Sequence, residues 1–338
     1  MNLDLVEKIA DAVLYEGYML YPYRASSVKN RERFNWGALV PKSFSEAQNG
    51  TEAWVMRTEC LARGDGPSSL TVSVRFLHLT DRQITDVNDA PVYSLDVDGQ
   101  LFQTWQEAVE RKVTSLPVRL IDGEVLEHMF SFPSIRETEQ IRAKDGTLAG
   151  RIVRTQAEIK GSVSIDVENL GDVFKVRICV KNVTPFTAGP ETIRSNALLH
   201  STISTHTIVS IENGDFVSLI DPPEELKEIA AACENVGAFP VLAGAAGESD
   251  CILASPIILY DYPEIAPESA GELFDGTEID EILTLRIMTM TDEEKREMRS
   301  VDDRARAILE RTEMIPEEHL LKMHGAVRGL SARKATNG

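Results

Sequence analysis

The stretch Val163-Ser-Ile-Asp-Val-Glu-Asn-Leu-Gly-Asp-Val-Phe-Lys-Val-Arg-Ile-Cys-Val-Lys-Asn-Val183 reads as two β-strands folded back on each other. Val163, Ile165 and Val167 alternate with polar residues, and Asn169 to Asp172 carries turn chemistry. Beyond the turn, Val173, Lys175, Arg177, Cys179 and Lys181 interleave with Phe174, Val176, Ile178, Val180 and Val183. A period of two gives the pair one apolar and one wetted face. The apolar face then needs a second layer, as in a β-sandwich.

Working outward, the same period starts at about Glu52. Leu70, Val72, Val74, Phe76 and Leu77 mark one strand, and Val118, Leu120, Val125 and Leu126 mark two more around a turn. Asp98-Gly99, Asp122-Gly123 and Asp145-Gly146 each sit between apolar runs. Residue types that tolerate positive φ suit the tight turns of hairpins, so each pair predicts one. Further strands are expected at Leu198 to Ile211 and Phe216 to Ile220, joined by Asn213-Gly214. Asp96, Asp98 and Gly99 do not make a calcium loop, because no register supplies both the sixth-position Gly and the twelfth-position Glu.

Helical spacing frames this β region. Leu3, Val6, Ile9, Ala10, Val13 and Leu14 form one stripe ahead of Gly17, predicting an opening helix. After Pro222-Pro223 the pattern is helical through Glu224 to Glu234. Ala238 to Leu253, rich in Gly and Ala, and Ser255 to Glu268, with Pro256, Pro263 and Pro267, predict an irregular connection lying over the surface or in a groove. Thr291 with Glu294 is a capping box for a following helix, and Pro316 starts a last one ending at Gly325. The fold class is α+β, a mostly antiparallel, β-sandwich-like core with an N-terminal helix and a helical C-terminal part. The expected divisions are an arm-bearing segment 1–50, a β domain 51–221, a Pro-rich connection and helices 222–330 packed on it, and a frayed tail 331–338.

With 338 residues, 43% of them hydrophobic, the chain can bury one large core or two moderate ones. The start Met1-Asn-Leu-Asp-Leu-Val-Glu-Lys8 lacks the basic and apolar regions of a secretory signal, and no apolar run approaches the ~18 residues of a membrane span. A soluble, cytoplasmic protein is expected. Cys60, Cys179, Cys233 and Cys251 are too widely spaced for a disulfide framework or a paired-cysteine metal motif and read as free thiols. The formal net charge is −19, and Glu212 to Glu281 holds 17 Asp and Glu against Lys227 alone. Such a stretch repels phosphate backbones, which excludes general nucleic-acid binding and suits a solvated face or a dock for a basic partner.

Reactive constellations are missing from the sequence. There is no GxSxG elbow, no Walker loop and no HExxH, and Gly244-Ala-Ala-Gly247 leads into Glu248 and Asp250, which would repel phosphate. His200 and His206 share one face of an extended strand, but six residues at ~3.3 Å each hold them far beyond the reach of one metal ion unless the strand bends sharply. His319 and His324, five apart on a helix, diverge. Carboxylates are too abundant for any pair to stand out. No cofactor and no metal is implied by any local pattern.

The most distinctive segment is an arm, Glu16 to Gly37. Tyr21, Tyr23, Phe34 and Trp36 are interleaved there with Arg24, Lys29, Arg31 and Arg33. Rings supply contact area and Arg supplies forked donors, the mixture found at interfaces and anion sites. Those eight residues are the candidate partner-binding set. The arm can equally fold onto the chain's own acidic half through ion pairs and cation-π contacts.

Together with Ser255-Pro-Ile-Ile-Leu-Tyr-Asp-Tyr-Pro-Glu-Ile-Ala-Pro-Glu-Ser269 and Leu273-Phe-Asp-Gly-Thr-Glu-Ile-Asp-Glu-Ile-Leu-Thr-Leu-Arg286, the arm resembles a family of uncharacterised accessory proteins encoded with [NiFe] hydrogenase gene clusters. The likeness covers nearly the whole chain. It implies a role in the assembly, maturation or support of a hydrogenase and carries over no catalytic residue. Three functional readings stand side by side. The first is a non-catalytic accessory or scaffold protein that binds a partner polypeptide, a hydrogenase subunit among the candidates, through the arm and the acidic half. The second is a metal-dependent enzyme or metal carrier with ligands from His200, Cys233, Cys251 and scattered carboxylates. The third is a homo-oligomer joined through sheet edges.

Overall fold

The computed structural model describes residues 3–15, 35–189, 191–264, 287, 290–301 and 303–314. Helix α1 (Leu3–Tyr15) and a short helix at Lys42–Ala47 precede β1 (Val55–Thr85), β2 (Pro91–Val92), β3 (Ser94–Val97), β4 (Gln100–Gln103) and β5 (Trp105–Thr114). Then come β6 (Val118–Arg119), β7 (Val125–Phe132), β8 (Ile135–Arg142), β9 (Leu148–Gln156), β10 (Ile159–Asn169) and β11 (Phe174–Asn182). A helical turn at Arg194–Leu198 leads into β12 (Thr202–Val217), helical turns span Glu224–Leu226 and Lys227–Ala231, and β13 (Phe239–Leu242) and β14 (Cys251–Ser255) follow. The last described helices are Asp292–Val301 and Asp303–Glu313. None of the helices among the described residues is long and apolar enough to cross a membrane.

The architecture turns on β1, a single strand of 31 residues. One of its edges bonds β11 over Val55–Ala62, then β6 at Ser69–Leu70, β5 over Ser73–Arg82 and β2 at Ile84–Thr85. The opposite edge bonds β12 from Leu61 to His78 and β9 from Asp81 to Thr85. All these pairings are antiparallel, and a strand this long satisfies its backbone groups only by changing partners along its length. The main path runs β13-β14-β12-β1-β11-β10-β7. Of the sequence-predicted pairs, β10 and β11 form the anticipated hairpin, with Asn169 opposite Phe174. β3 and β4 close over Asp98-Gly99, where both residues take positive φ (54° and 88°) as a type I′ turn requires. β8 and β9 close over Asp145-Gly146.

The sheet doubles over so that its two limbs share one core. Leu70, Val72, Val74 and Phe76 of β1 face Val163, Ile165 and Val167 of β10 and Val176, Ile178 and Val180 of β11. The Phe76 ring lies 5.8 Å from the rings of both Phe130 and Phe132 on β7, clamping the limb that ends in β7 against the limb of β1 and β5. On the other face of β1, Leu77 and Leu79 pack with Leu14, Val40, Phe44, Leu198 and Ile203. The predicted stripe of α1 lies beside them, with Val6, Ile9 and Ala10 against Ile208, Val241 and Leu253. Arg75 fixes the helix by pairing with Asp11 and Glu110 and donating to the Glu7 carbonyl, and Lys112 reaches the Glu7 carboxylate at 2.5 Å. The capping box forms, Thr291 N–H to Glu294 Oε2 at 2.7 Å and Glu294 N–H to Thr291 Oγ1 at 3.2 Å. The last predicted helix, Pro316 to Gly325, lies outside the described residues.

Three expectations need correction. Asn213-Gly214 joins no hairpin, because β12 runs unbroken through it. Asn213 takes φ 55°, while Gly214 serves close approach: a Cβ there would sit 2.5 Å from the Arg63 carbonyl oxygen of β1. Opposite it, β1 bulges between Gly64 and Ser69, and Ser68 Oγ accepts from Asp65 N–H. Asp122-Gly123 is a turn but not a hairpin, since β6 before it pairs with β1 and β7 after it pairs with β10. It carries the chain from one limb to the other. Finally, Ala238 to Leu253 is not irregular throughout. It supplies β13 and β14 to the edge of the main sheet, and β14 is buried along its whole length, so no alternation marks it.

Gly214→Ala is expected to lower unfolding free energy by about 1–3 kcal/mol, because the added methyl must push the β1 backbone away. Gly189→Ala, where a Cβ meets nothing within 4 Å, should stay within about 0.5 kcal/mol of wild type. Equal effects in urea titrations would contradict the bulge geometry.

Candidate functional site

Of the predicted arm residues, Tyr21, Tyr23, Arg24, Lys29, Arg31, Arg33 and Phe34 lie outside the described residues. Trp36 lies within them, at the point where the chain meets the sheet. The segment Trp36–Leu39 runs alongside the start of β12. Ser204 N–H donates to the Trp36 carbonyl at 2.8 Å and Thr205 N–H to the Gly37 carbonyl at 3.1 Å. Leu39 and Thr202 exchange both backbone bonds, at 2.9 and 3.2 Å. The buried Asn182 side chain pins this junction. Its amide donates to the carbonyls of Leu39 (2.7 Å) and His200 (2.9 Å), and its oxygen accepts from Thr184 N–H. An amide with all these bonds made inside the protein is a strong positional constraint.

Gly37 brings a second segment to the same place. It has φ 55°, and a Cβ on it would lie 2.7 Å from Pro256 Cβ, so only glycine lets Pro256 rest against the base of the arm. From Pro256 the chain alternates. Leu259 packs into the α1–β14 cluster and Tyr262 into the main core, its N–H donating to the Leu242 carbonyl at 2.7 Å. Asp261 holds this run down by accepting from Leu242 N–H (2.8 Å) and from Ser218 Oγ (2.5 Å). Ile258 and Tyr260 point the other way and are 76% and 82% exposed, and Trp36 is 49% exposed. Ile258 and Tyr260 were not among the sequence-predicted site residues. Their signal was present, an aromatic-rich run punctuated by prolines, but it resembled a connector.

The acidic stretch is partly neutralised from within the sheet. Arg57 and Arg63 of β1 pair with Glu234 and Glu225, and Lys227 pairs with Glu224. Glu212, Asp221, Glu228 and Glu264 remain exposed. A shallow concavity of about 260 Å³ lies on the outer face of β10 and β11, lined by Asp122, Asp166, Glu168, Lys175 and Arg177 among others. Its cations are committed, Lys175 to Glu168 at 3.1 Å and Arg177 Nε to the buried Glu59 at 2.7 Å.

Among the described residues the histidines and cysteines are dispersed. The His200 ring lies tilted, 5.1 Å from the Phe186 ring, Cys233 borders the cluster of Leu61, Val173 and Leu226, and Cys251 is buried beside α1. Among the described residues, no three His, Cys, Asp or Glu side chains gather as a metal would need. His78 Nε2 lies 2.9 Å from the Ala157 carbonyl and His206 Nδ1 2.9 Å from the Ser204 carbonyl, so each of these nitrogens carries the proton and donates. Burial holds both rings down at a pKa of about 4, with the Arg111 guanidinium adding to the effect at His78. Burial also pushes the thiols up, Cys233 to about 11 and Cys251 to about 12, with Cys60 raised further still. Such thiols stay protonated and unreactive at neutral pH. Compared with known proteins, the chain matches no family model and no curated sequence.

The two buried histidines make stability pH-dependent. In the fold they protonate only near pH 4, whereas the unfolded chain takes up these protons near the ordinary 6.5. Their contribution is therefore complete above pH 6.5 and is lost as pH falls toward 4. The melting temperature is expected to drop between pH 7 and pH 5. His78→Gln with His206→Asn, which keep the donated bond but do not titrate, should flatten that drop. An unchanged slope in the double variant would rule out these two rings as its source.

Proposed function

We propose that this chain is a non-catalytic accessory or scaffold protein that binds a partner polypeptide where the basic-aromatic arm meets Pro256–Tyr260, and that the partner is a subunit of a [NiFe] hydrogenase. The observation that carries the binding reading is the contact of Gly37 with Pro256. It draws together two stretches far apart in sequence and leaves Trp36, Ile258 and Tyr260 exposed around the junction. Large apolar and aromatic side chains held on a rigid base are what interface hot spots use. Their anchor is rigid here, since Asn182, Asp261 and the backbone bonds to β12 fix both segments. The charge pattern supports a mixed partner surface, with cations on the arm and exposed carboxylates at Asp221, Glu228 and Glu264. The non-catalytic part of the reading is supported by the raised thiols and the neutral, inward-bonded histidines. The hydrogenase assignment rests on the resemblance of the arm and of the two C-terminal stretches.

Binding of purified hydrogenase large subunit tests the proposal. Trp36→Ala with Tyr260→Ala is expected to weaken capture about tenfold or more, and Arg24→Glu with Arg31→Glu to weaken it and reduce its salt dependence. Full recovery by both double variants would remove this face from the interface, and no capture by the wild-type chain would remove the hydrogenase.

A further inference from the structure

β7 differs from the other sheet margins among the described strands. Among the described residues only β10 pairs with it, so its other side is a strand edge there. Other margins of the main sheet carry the usual protections against edge-to-edge pairing. β8 holds Arg136, Glu137, Glu139 and Arg142, β5 holds Glu107, Glu110, Arg111 and Lys112, β13 is four residues long and contains Pro240, and β2 is two residues long. β7, Val125-Leu-Glu-His-Met-Phe-Ser-Phe132, has eight residues, no proline, no bulge and one carboxylate, Glu127.

The direction of its backbone groups follows from its neighbours. Val167 N–H donates to the Glu124 carbonyl, so the even-numbered residues aim their backbone groups at β10. Lys160, opposite Ser131, turns its own groups away, its N–H donating to Thr184 Oγ1 and its carbonyl accepting from Val183 N–H. Val125, Glu127, Met129 and Ser131 therefore present their N–H and C=O groups outward along the edge. On the outer face, Val125 and Met129 are 64% and 60% exposed. On the inner face, Leu126 and Phe132 are only half covered where the main core reaches this margin.

We infer that β7 is a homodimerisation edge, pairing antiparallel with β7 of a second copy across a two-fold axis. The strand is self-complementary in one register. For faces to match, residues of like parity must oppose each other. Setting Glu127 against its own mate opposes two carboxylates, and setting Met129 against its own mate places Val125 opposite Pro133, which has no N–H. The register with Val125 opposite Ser131 and Glu127 opposite Met129 avoids both faults. It pairs every outward residue and lays Leu126 opposite Phe130 of the partner, adding apolar contact at the open core margin.

Sedimentation equilibrium of the full chain is the test, with Met129→Lys as an edge-blocking variant and Thr138→Lys on β8 as the control. The wild type and the β8 variant are expected to be dimers, with Met129→Lys shifting the equilibrium at least about tenfold toward monomer. In the proposed register, mixing Glu127→Cys and Met129→Cys chains should give a disulfide-linked dimer under mild oxidation, since opposed residues there lie about 5.5 Å apart. A wild type that stays monomeric overturns the inference, as does a dimer indifferent to Met129→Lys. Met129→Cys linking to itself more readily than to Glu127→Cys overturns the register.

Discussion

The hydrogen-bonding demand of one strand organises the protein. β1 has backbone donors and acceptors on both edges along 31 residues, and those in the interior of the sheet cannot be left unpaired at acceptable cost. The first third is served by β11, the middle by β12, and the last part by β5 and β9. Because the partners change, the sheet is locally two different sheets sharing one strand. The bulge at Gly64–Ser69, opposite Gly214, is where the strand can bend between them. The doubled sheet, with β1 packed on β10 and β11 in the core under Phe76, follows from that bend.

The same arrangement explains where polarity is tolerated in the interior. Arg75, His78, Arg82 and His206 are all buried on or beside β1, and each has its partners on elements that β1 itself recruits. Arg75 meets α1 and β5, Arg82 meets Glu107 of β5, and His78 meets the turn between β9 and β10. Gln156 joins this set, accepting from Arg111 at 2.7 Å and donating to Thr80 Oγ1 at 3.0 Å. Buried groups bonded across elements favour one pairing of strands over its competitors. Those buried side chains thereby help to specify the fold.

How much of this was legible in the sequence depended on whether a segment has one wet face. The β10–β11 hairpin, α1 and the Thr291–Glu294 cap were readable because alternation, helical spacing and capping chemistry survive when half of each element meets water. β14 is buried end to end and its approach is rich in Gly and Ala, so it read as a connector. Asn213-Gly214 carried the signature of a turn, whereas the glycine is needed for contact with Arg63 of β1, a residue 151 positions away in the chain and invisible to local reading. The same holds for the candidate site. The aromatic content of the arm was visible, but its junction with Ile258 and Tyr260 depends on Gly37 meeting Pro256, a long-range fact.

Native-state hydrogen exchange across β1 tests this account most directly. If the strand is one continuous spine, amides at Met56–Cys60, bonded to β11, and at Val72–Leu77, bonded to β12 and β5, should exchange only through the same global opening and with the same denaturant dependence. Two separate openings, with the β11–β10–β7 limb exchanging well before the β12–β5 limb, would show that the limbs are independent units and that β1 does not unite them.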